Sequence, residues 1–568
     1  MSYSELLALA FFFAIFFPLL RQLSHLYTNY TLARQTGLRI IIVPFYPFGT
    51  PWLIIAPLCA PLFQHFEWCR ILNATWAWQD GARQHERYGE NFIVVSPAKN
   101  VIYTSDKVAI EEVLKERKVW LKPKLYETMD LYGRNVDTVN SEDWSRHRKI
   151  TAPCFNERVS SFVWDETIRQ TQAMVAHWLS QPGARVSRMV DDTRVLALHV
   201  LCAAGFGVRQ NFHGGVRNPA PGHQLSHRDA LMTVLNNLIT ILIITPQEAF
   251  VDKVAFLLPP RIKNCLLAFR EFRQYTDEAI ALERKLLSQA GGAQKANFIS
   301  TLIRTSDQAK DEGFQSTAKL TDDEIKGNIF IFSFAGHDTT ANTLAYAFAL
   351  LSIHPEVQNW IGEEIDEVFR NDADPKYEDT HPQLKRVLAV MYETLRLYGP
   401  VPQIPRGPLS PNTPLTITKP NASISTSATG TTTMHVPPNT EIVLNLHAMH
   451  TTSHHYVSPQ EWKPSRWITS SSSTRLEEEK LLPRPQNFAP WASGPRICPG
   501  MKFSQVEFTG VLSTVLRQAW VTPSTKDGSD AEEEARKTVQ ALVKDSALIG
   551  ATVSMRRPGE VWLRVVRR

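Results

Sequence analysis

The sequence has little with which to staple itself together. Its six cysteines, at 59, 69, 154, 202, 265 and 498, include no Cys-x-x-Cys pair, and no histidine set stands at zinc spacing. A disulfide framework and a structural zinc module are not the organising principle, and five of the cysteines read as small buried hydrophobes. There is no Gly-x-Gly-x-x-Gly stretch, so the chain carries no flavin or nicotinamide domain of its own. Nor is one charge in excess: 61 Lys and Arg against 56 Asp and Glu leave +5 on 568 residues, too little to argue for a nucleic-acid partner. No internal repeat is visible. What remains, 43% apolar and 21% charged, can bury a core. The length favours two or three domains, although several large enzyme folds run past that size as one unit.

No apolar run reaches the length of a clean membrane span. Leu6–Leu20, LLALAFFFAIFFPLL, has fifteen residues without a charge. As a helix it covers about 22 Å, against ~30 Å of hydrocarbon, unless the flank through Tyr27 contributes. A cleaved signal peptide needs a basic leader and a small-residue cleavage site, whereas Glu5 precedes this run and Gln22-Leu23-Ser24-His25 follows it. An anchor helix over residues 1–27 is therefore expected, and Arg21, Arg34 and Arg39 on its C-terminal side place the body in the cytoplasm. Ile40–Phe63 is broken by Pro44, Pro47, Pro51, Pro57 and Pro61, so residues 28–63 read as a stiff membrane-proximal hinge, with a second span left open. Glycosylation sequons stand at Asn29, Asn73 and Asn421; with a cytoplasmic body the last two stay unmodified.

From about residue 105 helical periodicity dominates, predicting a mainly α protein with small β-sheets (α+β). One strand pair is expected around Phe92–Tyr103, across the Pro97-Ala98-Lys99 turn, and another at the C-terminus, flanking Arg557-Pro-Gly-Glu560. The Ser/Thr-rich tracts 411–433 and 469–474 read as surface loop insertions rather than domain boundaries.

The strongest chemical signal is Pro490-Trp-Ala-Ser-Gly-Pro-Arg-Ile-Cys-Pro-Gly-Met501. A cysteine that ligates iron must be deprotonated, rigid and shielded, with amide donors that temper its charge. Gly494 and Gly500 allow a tight path past a flat cofactor, and Pro495 and Pro499 stiffen it. Arg496 is placed to meet a haem propionate. The run from Met501 (Phe503, Val506, Phe508, Val511, Leu512, Val515, Leu516) predicts a helix whose N-terminal dipole favours the thiolate. A lone cysteine in such a loop would read as structural. Here W-x-x-G-x-R-x-C-x-G resembles the haem-binding loop of the cytochrome P-450 superfamily, with Trp491 where that signature has Phe.

Glu393-Thr-Leu-Arg396 lies on an apolar helical stripe (384, 388, 391, 395) and can pair at i, i+3. The same spacing at Glu67–Arg70, Glu367–Arg370 and Glu533–Arg536 reads as solvated pairs. What distinguishes Glu393 is the sequence that follows it: Pro400-Val-Pro-Gln-Ile-Pro-Arg406, then Trp462-Lys-Pro-Ser-Arg466-Trp467. This is similar to the family's Glu-Arg-Arg triad, which implies a buried ionic lock of Glu393, Arg396 and Arg466.

Thr321 and Glu324 form a capping box, so a long helix should start near Asp322 and run to about His354-Pro355. Inside it, Ala335-Gly-His-Asp-Thr-Thr340 is a polar patch in an apolar helix, where a local kink is expected. It resembles the family's A-G-x-D/E-T-T segment. The resemblance implies that Ala335 and Gly336 make room for dioxygen and that Asp338 and Thr339 deliver protons, with His337 a filler. Trp144-Ser-Arg-His-Arg148 fits the W-x-x-x-R helix, implying that Trp144 and Arg148 contact a haem propionate, with Arg406 as a further partner.

The resemblance implies a cytochrome P-450 fold over 64–568 and a reaction that places one oxygen atom of dioxygen into a lipophilic small molecule. Haem b (iron protoporphyrin IX) is the implied cofactor, with Cys498 the axial ligand of its iron. Electrons are implied to come from NADPH through NADPH-cytochrome P-450 reductase, with cytochrome b5 as a second partner and Lys502 and Arg148 on the docking face. Location at the endoplasmic reticulum membrane, with a single-pass anchor, follows from the same likeness, as does a fungal specialised-metabolism type. The apolar stretches Leu231–Ile244 and Phe250–Pro259 agree with a lipophilic substrate. Two other readings stay open: a haem-thiolate isomerase or dehydratase, which the pair Asp338 and Thr339 argues against, and a non-catalytic tethered haem protein.

Overall fold

The structure is a computed structural model and describes residues 3–63, 65–73, 75–213, 219–245, 248–288, 297–311, 319–370, 376–419, 430–469, 476–528, 531–549 and 552–568. The helices that place the site are α1 (Tyr3–Arg34), α2 (Lys107–Lys115), α3 (Ser141–Thr151), α4 (Glu157–Ser180), α5 (Met189–Phe206), α6 (Asp322–Ile353), α7 (Lys385–Tyr398) and α8 (Met501–Gln518). The strands are β1 (Arg39–Ile42), β2 (Asn91–Val95), β3 (Asn100–Thr104), β4 (Trp120–Leu121), β5 (Arg185–Val186), β6 (Gln403–Pro408), β7 (Thr413–Thr418), β8 (Thr431–Val436), β9 (Thr440–Asn445), β10 (Ile468–Thr469), β11 (Lys480–Leu481), β12 (Ala519–Pro523), β13 (Ser546–Ile549), β14 (Thr552–Met555) and β15 (Leu563–Arg567). The expected mainly helical α+β architecture is what is seen. Two units share the chain: Met1–Pro123, Val401–Glu461 and Arg484–Ile497 form the first, and Lys124–Pro400, Trp462–Pro483 and Cys498–Arg568 the second.

The first unit is built on a six-stranded sheet of order β1-β2-β3-β9-β6-β4. The expected strand pair is its centre: β2 and β3 run antiparallel from Asn91↔Thr104 to Val95↔Asn100. Period-2 alternation sends Phe92 and Val94 into one core and Ile93 and Val95 into the other, so both faces of the sheet are covered. Within the segment read as a hinge, β1 pairs in parallel with β2. The tract 411–433 is not loop throughout, because β7 and β8 pair across it from Thr413↔Val436 to Thr418↔Thr431; its 420–429 portion lies outside the described residues. Of the second tract, only Thr469, in β10, is described.

The expected spanning anchor is not supported: among the described residues no helix is long and apolar enough to cross a membrane. The helix that begins at Tyr3 does not stop at residue 27 but continues to Arg34, and its last turns pack on the first unit. Ala33 is fully buried, and the Asn29 side-chain amide donates to Ser96 O (2.9 Å) and Pro97 O (3.2 Å).

In the second unit α6 starts and stops where its capping box and His354-Pro355 predict. Thr321 Oγ1 accepts from Glu324 N, and the Glu324 carboxylate accepts from Thr321 N. The helix assignment is continuous through the Ala335–Thr340 patch. The C-terminal expectation needs a correction as well. The two runs flanking Arg557–Glu560 do not pair with each other: β14 pairs with β13, and β15 with β12 and β5. The buried–exposed alternation of β12 matches that of the start of β15. A sheet between those two buries Leu563 and Val565 on one side, which a hairpin over four turn residues would not provide.

Candidate active site

In the first unit the approach to the cysteine is a strained turn. Gly494 has φ +67°, and a Cβ there would lie 2.5 Å from the carbonyl oxygen of Leu114 at the end of α2, so only glycine fits. Trp491 is buried beneath the Arg484 guanidinium, 5.7 Å from its ring centre. His450 Nε2 accepts from Ala489 N at 3.0 Å and ties the loop to the sheet side of the unit. Arg496 is half-buried in the turn Gly494–Arg496. Arg406 is buried on β6, where its Nη1 donates to Pro405 O at 2.8 Å.

In the second unit Cys498 opens the path into α8. It is exposed, whereas Cys59 is half-buried and the other four cysteines are buried. Even so, protein surrounds the sulfur closely enough that burial pushes its thiol up, opposed by the Gly500 N–H and the Arg148 guanidinium and aided by Asp137. Left to itself the group is a protonated thiol; bound to a metal cation it would lose that proton outright. An exposed cysteine with an N–H donor and a guanidinium near its sulfur suits an iron-bound thiolate, so the residues fit the haem that the sequence implies. A Cβ on Gly500 would meet Sγ at 3.8 Å and Phe155 at 3.9 Å, so protein atoms alone do not demand glycine there. On α3, Trp144 is buried; Arg148, one turn on, is lowered by burial and raised by Cys498.

In the same unit Glu393 is fully buried and takes donors on both oxygens. Oε1 accepts from Arg396 Nη2, Arg466 Nε and the backbone N of Lys463, each at 2.9 Å. Oε2 accepts from Arg396 Nε at 3.0 Å and Trp467 Nε1 at 2.9 Å. The three expected members of the lock are thus brought together. Lys463 N and Trp467 were missed, although Trp467 directly follows Arg466. The other Glu-x-x-Arg spacings behave differently: Glu367 pairs with Arg370 on the exposed surface, while Arg70 turns to Asp80 and Arg536 to Glu532.

On α6, from Gly327 to Ile353, only Phe334, Ala335, Gly336, Asp338 and Thr339 escape full burial, and Ala335 is exposed. Thr339 Oγ1 donates to Ala335 O at 2.7 Å, one turn back on the helix. A Cβ on Gly336 would press on Leu201 of α5 at 3.2 Å. The same helix supplies Arg194, whose Nε lies 3.5 Å from Asp338 Oδ1. Nothing in the sequence linked Arg194 to Asp338. His337 points away into the protein and is buried.

The family model described as cytochrome P450 (P-450) matches residues 59–545. The chain belongs to the cytochrome P-450 family. It is 30% identical over 518 residues to a cytochrome P-450 monooxygenase of Penicillium roqueforti, covering 85% of this chain and 86% of that one. It is 26% identical to the phomenoic acid biosynthesis cluster cytochrome P-450 monooxygenase of Leptosphaeria maculans, covering 94% and 95%. The crystal structure of the cytochrome P-450DA haem domain has the same fold, with a TM-score of 0.65 at 20% identity, over 93% of this chain and 98% of that one. As a P-450 the chain is an oxidoreductase of a haem-binding family.

Proposed function

We propose that the chain is a haem-thiolate monooxygenase acting on a lipophilic small molecule in secondary metabolism. The observation that carries this reading is Cys498, the cysteine with open surface, held beside the Gly500 N–H and Arg148. Haem b, when bound, would supply the oxygen-activating chemistry. Cys498 Sγ would hold its iron. Trp144 and Arg148 of the second unit are assigned to its edge; in the first unit, Arg406, Trp491 and Arg496 are the residues that the family resemblance assigns to cofactor binding. Gly500 tempers the sulfur, and Ala335 and Gly336 leave room on the opposite helix. Asp338 and Thr339, the latter with its Oγ1 anchored on Ala335 O, are assigned to proton delivery.

Electrons from NADPH through NADPH-cytochrome P-450 reductase, and from cytochrome b5, agree with the absence of a dinucleotide fingerprint; Lys502 and Arg148 are the assigned docking cations. The Leptosphaeria relative supports placement in secondary metabolism. Exposed Phe12, Phe16, Phe17, Leu19, Leu20 and Leu23 on α1 support attachment to the endoplasmic reticulum membrane; recovery of the full chain in the supernatant rather than the microsomal pellet at physiological salt would contradict it. The ligand assignment is tested by ferric electron paramagnetic resonance. A low-spin thiolate signal lost in Cys498→Ser supports it, and an unchanged signal in that variant excludes Cys498.

A further inference from the structure

Two residues inside the Trp144-x-x-x-Arg148 motif have no part in the function so far. Arg146 and His147 turn away from the Trp144–Arg148 side of α3 and close on the first turn of α6. Arg146 Nη1 donates to Glu324 Oε2 (2.9 Å) and Lys319 O (2.7 Å), and Nη2 bonds Glu324 Oε1. His147, fully buried, lies 3.3 Å from Glu324 Oε1 through Nε2 and 3.1 Å from Asn328 Nδ2 through Nδ1. Asn328 Oδ1 in turn accepts from Val136 N at 2.9 Å. The donors have one consistent direction: Val136 N–H to Asn328, Asn328 amide to His147 Nδ1, His147 Nε2–H to the Glu324 carboxylate.

The segment before α3 is held by shape too. A Cβ on Gly133 would fall 2.1 Å from Asp323 O, and one on Gly327 would fall 2.2 Å from Gly133 O, so two backbones touch where neither could carry a side chain. Asp143, His147 and Glu324 come within metal-ligating reach of one another, but Arg146 Nη2 bonds both Asp143 and Glu324 and is the cation of that cluster. Burial alone would raise the Glu324 carboxyl; the Arg146 and His147 bonds hold it well below the usual carboxylate range.

We propose that Glu324 is a positioning residue for the haem edge: through Arg146 and His147 it sets α3, and with it Trp144 and Arg148, in register with α6. The proposal rests on the reading that Cys498 holds haem. The test compares full-length, haem-loaded wild type with Glu324→Gln, which keeps an N3 residue suited to the capping box, and with Arg146→Lys, which keeps the charge and loses the fork. Two quantities are read: haem transfer to excess apomyoglobin, and amide hydrogen exchange.

Glu324→Gln should lose haem about tenfold faster, the scale of lost outer-shell support. Exchange should rise at Val136 and over 141–151 alone, with the thermal midpoint kept, and Arg146→Lys should fall between. A uniform rise in exchange with a lowered midpoint marks a merely structural residue and overturns the proposal. Wild-type rates in both variants overturn it as well. If the wild type takes up no haem, the ligand reading fails instead; unchanged protection at Val136 in Glu324→Gln then overturns the clamp independently.

Discussion

Arg194 Nε faces Asp338 Oδ1 at 3.5 Å, a cation from α5 set against the carboxylate of α6. The pair orients Asp338 at the one stretch between Gly327 and Ile353 that is not fully buried. Replacing the acid by its amide keeps the shape and removes the ionisable group. Asp338→Asn should lower turnover on the order of 100-fold, the usual scale for a positioned acid, with the haem spectrum unchanged. Stopped-flow and steady-state kinetics check it, and wild-type turnover would remove Asp338 from the proton path.

Thr339 is fixed by its bond to Ala335 O, so its hydroxyl is oriented before substrate arrives. Thr339→Ala should leave NADPH oxidation running while product per NADPH falls, and Thr339→Ser should recover most of the coupling. Peroxide and product measured together decide the matter; full coupling in Thr339→Ala would assign the hydroxyl to helix geometry alone.

Glu393 and Arg396 are fully buried, so deleting either leaves an uncompensated charge. Arg396→Ala should cost about 3–5 kcal/mol and yield little haem-loaded protein. Trp467→Phe removes one donor to that carboxylate and should cost about 1–3 kcal/mol. Chemical denaturation of the purified variants gives both values, and a Trp467→Phe variant as stable as wild type would mean that Oε2 is satisfied without the indole.

A second buried carboxyl predicts a pH dependence. Glu364 accepts from Arg386 N (2.7 Å) and Val387 N (3.0 Å) at the start of α7, and burial pushes its carboxyl up to about 7 from an ordinary 4.5. The folded protein then keeps a proton that the unfolded chain releases. This contribution is complete below about pH 4.5 and is lost as pH rises towards about 7. Melting curves across that window should fall for wild type relative to Glu364→Gln; parallel curves would contradict the shift.

Local signals were the legible ones. The capping box of Thr321 and Glu324, the β2–β3 pair and the spacing of Glu393 and Arg396 each lie within a few residues, where periodicity and turn chemistry act directly. Arg466 was placed only through resemblance, because nothing local joins it to a residue 73 positions earlier. Arg194 on Asp338 and Arg146 on Glu324 were not legible, since tertiary packing decides which of many charged residues meet. The C-terminal strands failed for the same reason: β15 has two adjacent runs to choose from, and the fold offers it β12. At the N-terminus, apolar composition suggested a span, whereas the polar face of Asn29 docks the end of α1 on the sheet.

The central claim is that Cys498 binds haem iron as a thiolate. The carbon-monoxide difference spectrum of the dithionite-reduced full-length protein, beside Cys498→Ser, tests it most directly. A Soret band at the long wavelength of thiolate-ligated haem, absent from the variant, is the predicted result. A band at the shorter wavelength of histidine-ligated haem in the wild type, or the same long-wavelength band in both proteins, would contradict it.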